Sequence, residues 1–369
     1  MNMKHYLQIF FLLIACVISG GAQSGMLIEV QDPRYFERQQ EVIFPRAEVK
    51  LVTFEFEAMG EDERGKQRAK QLHDQFLSKI HDLHGGAIIT YVTPPGQRIE
   101  NYRIKAEEIA KQQKAQMALW GRIFVDAGGT SLINARLTLV DPPPGVSAGY
   151  MREAISANGA PVEVRGVIDA PVTQLRVDFS TMENDVEPLA LFLSGLARYY
   201  KGATREGTQS ARWLKGSIED LSAYIKGVSE KTDRATLAQA HLYIARANLR
   251  LADAEPSRAV ALRNSAQEHG AKAAELNPYD AGIPTVQAVI AANLQASTDL
   301  IRAYLTKAVS LAPADSNARV NLAVLESAEG RFSEAVRQLD SADFVQRVQK
   351  KAPLKSVEEL RKSLAPHLK

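Results

Sequence analysis

The fold of this chain is decided by a short segment that occurs twice in its second half: Lys272-Ala273-Ala274-Glu275-Leu276-Asn277-Pro278 recurs as Lys307-Ala308-Val309-Ser310-Leu311-Ala312-Pro313. The two copies are 35 residues apart, a period typical of a structural unit made of two antiparallel helices. One such pair cannot bury its apolar face alone, whereas three or more stacked pairs can. The repeat therefore predicts an all-α array over residues 185–345, with about four helix pairs.

The residues after Pro313 extend this repeat. Small and large apolar residues follow at the spacing of one unit: Leu322, Ala323, Gly330, Phe332, Ala335, Leu339 and Ala342. The pattern resembles the tetratricopeptide repeat (TPR) family, whose unit has about 34 residues, although Arg347 stands where the closing proline of that unit is expected. The resemblance implies a TPR-like helical array with a protein or peptide partner; the alternative is a generic helical bundle.

The first helices of a TPR-like array line a concave surface, which gives a candidate partner-binding groove. The residues predicted to face it are Val286, Ile290, Asn293 and Leu294 in one unit and Asn317, Val320, Val324 and Ser327 in the next. These side chains are apolar to mildly polar. Such a groove suits an amphipathic helix or an extended peptide, or it packs against the N-terminal domain, and the sequence leaves both open.

A different architecture precedes the array, in residues 26–184. Val52, Phe54 and Phe56 alternate with polar residues, which predicts a half-buried strand. An amphipathic helix is predicted to follow, because its apolar residues recur at steps of three and four: Ala69, Leu72, Phe76, Ile80 and Leu83.

A hairpin is predicted later in the same domain, with apolar residues alternating from Met117 to Val125 and again from Ile133 to Leu139. The core of this domain, residues 45–141, then has the order β-α-β-α-β-β. The fold class is therefore α+β with two domains, a mixed-sheet domain followed by the all-α TPR-like array.

The hairpin segment also carries a family resemblance. Its two strands are Ala115-Gln116-Met117-Ala118-Leu119-Trp120-Gly121-Arg122-Ile123 and, after a Gly-rich turn, Asn134-Ala135-Arg136-Leu137-Thr138-Leu139-Val140-Asp141. A strand with a central glycine, a tight turn and a strand that ends in a hydrophobic-Asp pair resemble the N-terminal α/β domain of TolB and the related CsgG and FlgO domains. The resemblance implies a role in the cell envelope and implies no particular reaction.

The N-terminal 22 residues have the pattern of a signal peptide. Lys4 precedes an apolar run from Leu7 to Ile18, and small residues follow up to Ala22. Leu13-Ile14-Ala15-Cys16 also resembles the lipobox of bacterial lipoproteins, which implies cleavage before Cys16 and lipid attachment to it. Both processing routes stay open. The chain is predicted to be exported to the periplasm, either soluble or anchored to the outer membrane as a lipoprotein.

Composition narrows the classes of partner and of covalent cross-link that are expected. The 369 residues carry a formal net charge of +2 and one cysteine, Cys16. The charge gives no reason to expect nucleic-acid binding, and a single cysteine excludes an internal disulfide. The tail, residues 346–369, is basic, and is predicted to form a solvated capping helix or to contact anionic lipid or an acidic partner.

Catalytic motifs are missing from the sequence, which has no nucleophile elbow and no phosphate-binding loop. The candidate metal ligands are His81 and His84, at i and i+3 on the first helix, whereas His73 is too far from His81 to share an ion. Two ligands without a fixed third make a weak site. No cofactor and no catalytic residue are predicted.

The pattern as a whole predicts a non-catalytic scaffold or adaptor of the cell envelope, which binds an envelope protein or peptide through its repeats. One alternative is a structural subunit of a CsgG- or FlgO-like outer-membrane assembly. An alternative of another class is a metal-dependent enzyme that uses His81 and His84. The oligomeric state is left open.

Overall fold

The computed structural model describes residues 27–30, 50–54, 56–58, 63–83, 87–91, 102–125, 131–140, 154–155, 161–162, 174–175, 186–204, 207–228, 234–350 and 354–368. Within them, the first part of the chain forms strands and two helices: β1 (Leu27–Val30), β2 (Lys50–Phe54), β3 (Glu57–Ala58), α1 (Glu63–Leu83), β4 (Ala87–Tyr91), α2 (Tyr102–Gln112), β5 (Met117–Val125), β6 (Ser131–Leu139), β7 (Ala154–Ile155), β8 (Pro161–Val162) and β9 (Gln174–Leu175). The predicted order β-α-β-α-β-β is present among them, with β3 as an additional short strand.

These strands form a mixed sheet. Its order is β1-β4-β2-β5-β6-β9, with β3 paired to β5, while β7 and β8 form a separate ribbon. Strands β1, β4, β2 and β5 are parallel, whereas β5–β6 is the predicted antiparallel hairpin. Met117 lies opposite Leu139 and Gly121 lies opposite Ala135, so the apolar residues of the two strands share one face.

Strand β2 differs from its prediction as a half-buried strand. Leu51, Val52, Thr53 and Phe54 are all buried. The strand lies between β4 and β5, and both of its faces are covered. Leu51 belongs to a cluster with residues of α1, and Val52 and Phe54 belong to one with residues of α2. Central strands of a parallel sheet are normally covered on both sides by their crossover helices, so the period-two pattern was misleading here.

The rest of the chain is a TPR-like helical array. Its elements are α3 (Glu187–Ala203), α4 (Gly207–Gly227), α5 (Arg234–Ala254), α6 (Ala259–Leu276), α7 (Gly282–Asn293), α8 (Thr298–Leu311), α9 (Ser316–Ala328), α10 (Phe332–Val348) and α11 (Lys355–Leu364), with 3₁₀ turns at Pro256–Arg258 and Ala365–His367. They pack as the predicted four pairs, α3–α4, α5–α6, α7–α8 and α9–α10. Helix α9 begins 34 residues after α7, and α10 begins 34 residues after α8. The last two pairs therefore have the TPR period, and the first two are longer.

One hydrophobic core joins the sheet to the array. It runs from Leu51 and Met117 in the sheet through Leu72 and Phe76 of α1 to residues of α3, α4 and α5. Helix α1 packs directly against α3, and its predicted stripe of Ala69, Leu72, Phe76 and Ile80 is buried. The sheet domain therefore covers the first helix pair of the array.

The first helices of the pairs are buried much more completely than the second helices. Helix α5 contributes Tyr243 and Ile244 to the core shared with the sheet, and Leu242 and Ala245 to the next cluster. Most residues of α3, α7 and α9 are buried as well, whereas α6, α8 and α10 each bury a single narrow stripe. A first helix has neighbours on several sides, and a second helix faces solvent.

Helix α11 closes the far end of the array. Val357 and Leu364 pack with Val320, Ala323 and Leu339 of the last pair. Arg361 donates to Asp340 Oδ1 and to Asp343 Oδ2, both at 2.7 Å. A helix thus caps the array, but it is not the solvated helix that was predicted, because Val357 and Leu364 are buried. One of its cations is held by acidic residues of α10. No helix in the described part of the chain is long and apolar enough to cross a membrane.

Candidate partner-binding surface

The first pair of the array is held together by glycines. A Cβ atom at Gly195 would lie 2.6 Å from Leu221 Cγ, and one at Gly202 would lie 2.7 Å from Leu214 Cγ. Real Cβ atoms do not approach so closely, so α3 and α4 can meet at this distance only because both positions lack a side chain. The two glycines of α3 are therefore contact points between helices.

Two serines of α4 bind the backbone of α3 at the same points. Ser217 Oγ donates to Gly195 O at 2.7 Å, and Ser210 Oγ donates to Gly202 O at 2.8 Å. The serines are seven residues apart and so are the glycines, which means that one contact is repeated two turns along both helices. Buried hydrogen bonds of this kind fix the register of the pair.

A third polar contact of this pair faces a cavity. Ser194 Oγ donates to Asp220 Oδ2 at 2.6 Å, and Arg198 Nε lies 3.1 Å from the same oxygen. Burial raises the pKa of Asp220, and the Ser194 hydrogen bond and the Arg198 charge oppose this rise. Arg198 has room because residue 216 is a glycine, whose Cβ would lie 2.6 Å from Arg198 Nη1.

The cavity beside Arg198 has a volume of about 540 Å³. Arg212, Lys215 and Glu219 of α4 also line it, together with Glu255 from the turn after α5. Lys215 Nζ lies 2.6 Å from Glu255 Oε1. Since its charges are of both signs, the cavity suits charged side chains better than an apolar ligand.

The predicted groove residues are mostly buried in the array. Val286 lies in the core between the second and third pairs, and Ile290 Cδ1 packs over Gly270 of α6. Val320 is covered by α10 and α11, and Val324 and Ser327 are also buried. The reason is that α7 and α9 lie between neighbouring helices, so their apolar positions are used for packing.

Two polar residues of the predicted groove stay accessible, whereas Leu294 is half-buried and packs against the core between the second and third pairs. Asn317 is exposed in the first turn of α9, where its backbone N–H donates to Asp315 Oδ1. Asn293 is half-buried, and its side chain donates to Val289 O at 3.0 Å. Partner contact by these residues stays a prediction.

A buried carboxylate joins the last two pairs. Glu326 is buried near the end of α9, accepts a hydrogen bond from Arg302 Nε of α8 at 3.0 Å, and also binds Arg331. Arg302 binds Asp299 on its other side. The positive charges of both arginines offset the cost of burying this carboxylate, so the network fixes the relative position of α8 and α9.

Exposed apolar side chains lie on the outer face of the second helices. Phe344 and Val348 of α10 are 62% and 64% exposed, and they are one helical turn apart. Arg347 and Lys350 are exposed beside them. We call these four residues the α10 patch. The α10 patch was not predicted from the sequence. Phe344 and Val348 nevertheless fall outside the core stripe of Ala335, Leu339 and Ala342, which marks them as apolar residues on a solvent-facing side.

His73 is a buried histidine without hydrogen-bond partners. It is 2% exposed, and neither ring nitrogen has a partner in the described part of the chain. Its ring lies edge-on to Phe56, with the centroids 4.9 Å apart. Burial lowers the pKa of His73 to about 4, so the imidazole is neutral at pH 7.

The remaining predicted sites lie mostly outside the described residues. Cys16 and His84 are both outside, and only the backbone of His81 is described, near the end of α1. Where the structure is described, no three His, Cys, Asp or Glu side chains come together as metal ligands. Lipidation of Cys16 and metal binding by His81 and His84 stay predictions.

No protein-family model matches this sequence, and no curated protein does either. Among solved structures, the chain is similar to a thermophilic TPR protein from Thermus thermophilus, with 20% identity over 50% of this chain and 90% of that chain and a TM-score of 0.34. It is also similar to the TPR2AB domain of yeast Sti1 in its complex with pHSP90, with 16% identity over 48% of this chain and 85% of that chain and a TM-score of 0.26.

Proposed function

We propose that this protein is a non-catalytic scaffold of the bacterial cell envelope, which binds a protein or peptide partner through its helical array. The observation that carries the proposal is the α10 patch. Phe344 and Val348 are large apolar side chains left exposed on a helix whose other face is packed. Apolar residues flanked by cations are typical of protein interfaces, where aromatic and arginine side chains are enriched.

The proposal assigns the two surfaces of the array different roles. The first helices hold the array together, because their apolar residues are buried. The second helices carry several of the exposed apolar side chains. Phe344 and Val348 form a pair, whereas Val260 of α6 and Leu300 of α8 stand apart from them. The accessible part of the predicted groove is Asn293 and Asn317, which supports a smaller and more polar contact.

Site-specific photo-crosslinking in the native envelope tests this assignment. A benzoylphenylalanine would replace Phe344, Asn317 or, as the matched control on another second helix, Val260. We expect a discrete adduct from position 344 and none from position 260. An adduct from 317 alone would move the contact to the predicted groove. No adduct from 344 or 317 would contradict the proposed binding function.

The envelope assignment rests on the N-terminal 22 residues and on the resemblance of the sheet domain to TolB, CsgG and FlgO domains. Intact-mass measurement of the mature protein tests it. A mass that begins after Ala22 supports a soluble periplasmic protein, and a lipid-bearing mass that begins at Cys16 supports an outer-membrane lipoprotein. An unprocessed chain that begins at Met1 would contradict export through a cleaved signal.

A further inference from the structure

The second helix pair contains two facing histidines that the proposed function does not use. His241 of α5 and His269 of α6 bring their Nδ1 atoms to 2.8 Å from each other. Their ring centroids are 5.0 Å apart. Both side chains are half-buried, so they are fixed by their helices and are still reached by solvent.

In the neutral pair, one Nδ1 donates its proton and the other accepts it. Burial, the neighbouring His269 and Lys272 lower the pKa of His241 to about 4, and burial also lowers the pKa of His269. Both rings are therefore neutral at pH 7, which is the form in which imidazole binds metal ions.

We propose that His241 and His269 form a binding site for a divalent transition-metal ion, with one Nδ1 ligand from each helix and water in the remaining positions. Two Zn–N bonds of tetrahedral geometry place the nitrogens about 3.3 Å apart. The observed pair, at 2.8 Å, needs to open by about 0.5 Å, and each ring must turn so that its lone pair points at the ion and no longer at the other ring. The donating ring moves its proton from Nδ1 to Nε2 through solvent, so each ring presents a lone pair to the ion and no net proton is released.

Because the two histidines lie on different helices, a bound ion would link those helices. Helices α5 and α6 are consecutive and antiparallel, and α5 belongs both to the core shared with the sheet and to the next cluster. An ion bound between them would join the two helices of the second pair. An ion that binds only the folded state stabilises it increasingly as its concentration rises.

Imidazole ligands favour Cu²⁺ over Zn²⁺ in the general order of stability for such ions. Mg²⁺ and Ca²⁺ prefer oxygen ligands and are not expected to bind here. Glu268 and Glu275 are the carboxylates whose charges act on the pair, and Glu275 is bound by Lys272 at 2.8 Å. The site therefore has open positions for water and binds more weakly than a closed four-ligand zinc site.

Isothermal titration of the full chain, purified without a polyhistidine tag, tests the site with CuCl₂ and ZnCl₂. We expect one ion per chain, and a loss in affinity of ~10-fold or more in His241→Gln and in His269→Gln, since loss of a ligand costs at least as much as loss of an outer-shell partner. The matched control is His367→Gln, because His367 is also half-buried but stacks on Phe332. It should bind as the parent does.

A second measurement keeps the test independent of folding. Circular dichroism must show that both glutamine variants remain helical, and Zn²⁺ should raise the melting temperature of the parent and of His367→Gln but not of the two variants. Binding that survives both substitutions would overturn the proposal, as would its loss in His81→Gln or His84→Gln instead. Absence of Cu²⁺ and Zn²⁺ binding by the folded parent would also overturn it.

Discussion

The first and the second helices of the pairs are built from different chemistry. The first helices have neighbours on several sides, and they meet those neighbours through glycines, small residues and buried polar bonds, such as Gly195 against Leu221 and Glu326 with Arg302. Helix α4 also buries polar residues, namely Ser210, Ser217 and Asp220. The other second helices bury one stripe and keep charged pairs such as Glu334 with Arg337 on the outside. The difference shows that in this array the first helices determine the packing, and the second helices determine what the surroundings meet.

The largest expected effect comes from closing the contact between α3 and α4. Gly195→Val should lower the free energy of unfolding by about 3 kcal/mol, because the new side chain must displace Leu221 in a packed interface. Urea unfolding measures the change. Gly227→Val at the end of α4 is the control, since a Cβ there meets nothing within 4 Å, and its effect should stay within about 0.5 kcal/mol. Equal losses of stability in Gly195→Val and Gly227→Val would contradict the role of Gly195 as a contact point between α3 and α4.

Acid should weaken the packing of α1 around Phe56 through His73. The folded pKa of about 4 lies below the ordinary value of 6.5, so the unfolded chain takes up the proton first. The contribution of His73 to the free energy of unfolding is fully present above pH 6.5. It is lost as the pH falls towards 4, and the loss reaches up to about 3 kcal/mol. Unfolding at a series of pH values between neutral and the folded pKa measures it.

The variant His73→Leu should reduce this acid dependence without abolishing it, because it removes one buried titrating group while His241 and His269, whose pKa values are also lowered by burial, remain. His367→Gln should keep it, since His367 is half-buried and stacks on Phe332. An unchanged slope in His73→Leu would show that other groups cause the acid sensitivity.

A smaller effect is expected from the network between the third and fourth pairs. Glu326→Gln on the first helix α9 should lower the free energy of unfolding by about 2 kcal/mol, since Arg302 and Arg331 lose a buried partner but remain partly exposed. Glu334→Gln on the second helix α10 is the matched change, and should cost less than about 0.5 kcal/mol. Thermal unfolding of both variants compares them directly. A larger loss of stability in Glu334→Gln than in Glu326→Gln would contradict the difference between first and second helices.

The smallest effect is expected from helix α11, which closes the far end of the array. Arg361→Gln should cost about 0.5 kcal/mol, because the ion pairs with Asp340 and Asp343 lie near the surface. The change should be local, so limited trypsin digestion should cleave more quickly near α11 while the rest of the array persists. Lys362→Gln, on the exposed side of the same helix, should leave the cleavage rate unchanged. A global loss of stability in Arg361→Gln would mean that α11 unfolds together with the rest of the array.

Much of the array could be predicted from the sequence, because its signals are local. The recurrence of Lys272–Pro278 at Lys307–Pro313 and the spacing around Gly330 predicted helix pairs, and the structure confirms a TPR-like array. The hairpin was also predictable, because Gly121 and Ala135 lie within strands whose apolar residues alternate. The groove was not. Val286, Ile290 and Val320 are apolar residues on first helices, and a sequence cannot tell whether such a residue packs on a neighbouring helix or faces a partner.

Local sequence is enough to predict the helical periods, the strand–helix order and the breaks between elements, since these depend on the spacing of apolar, glycine and proline residues along the chain. The packing of whole elements determined how many sides of each helix are buried. It placed His241 against His269, closed the array with α11, covered α3 with α1, and left Phe344 and Val348 exposed. Each of these is a contact, or the lack of one, between segments far apart in the chain, and its energy depends on packing that no local pattern records.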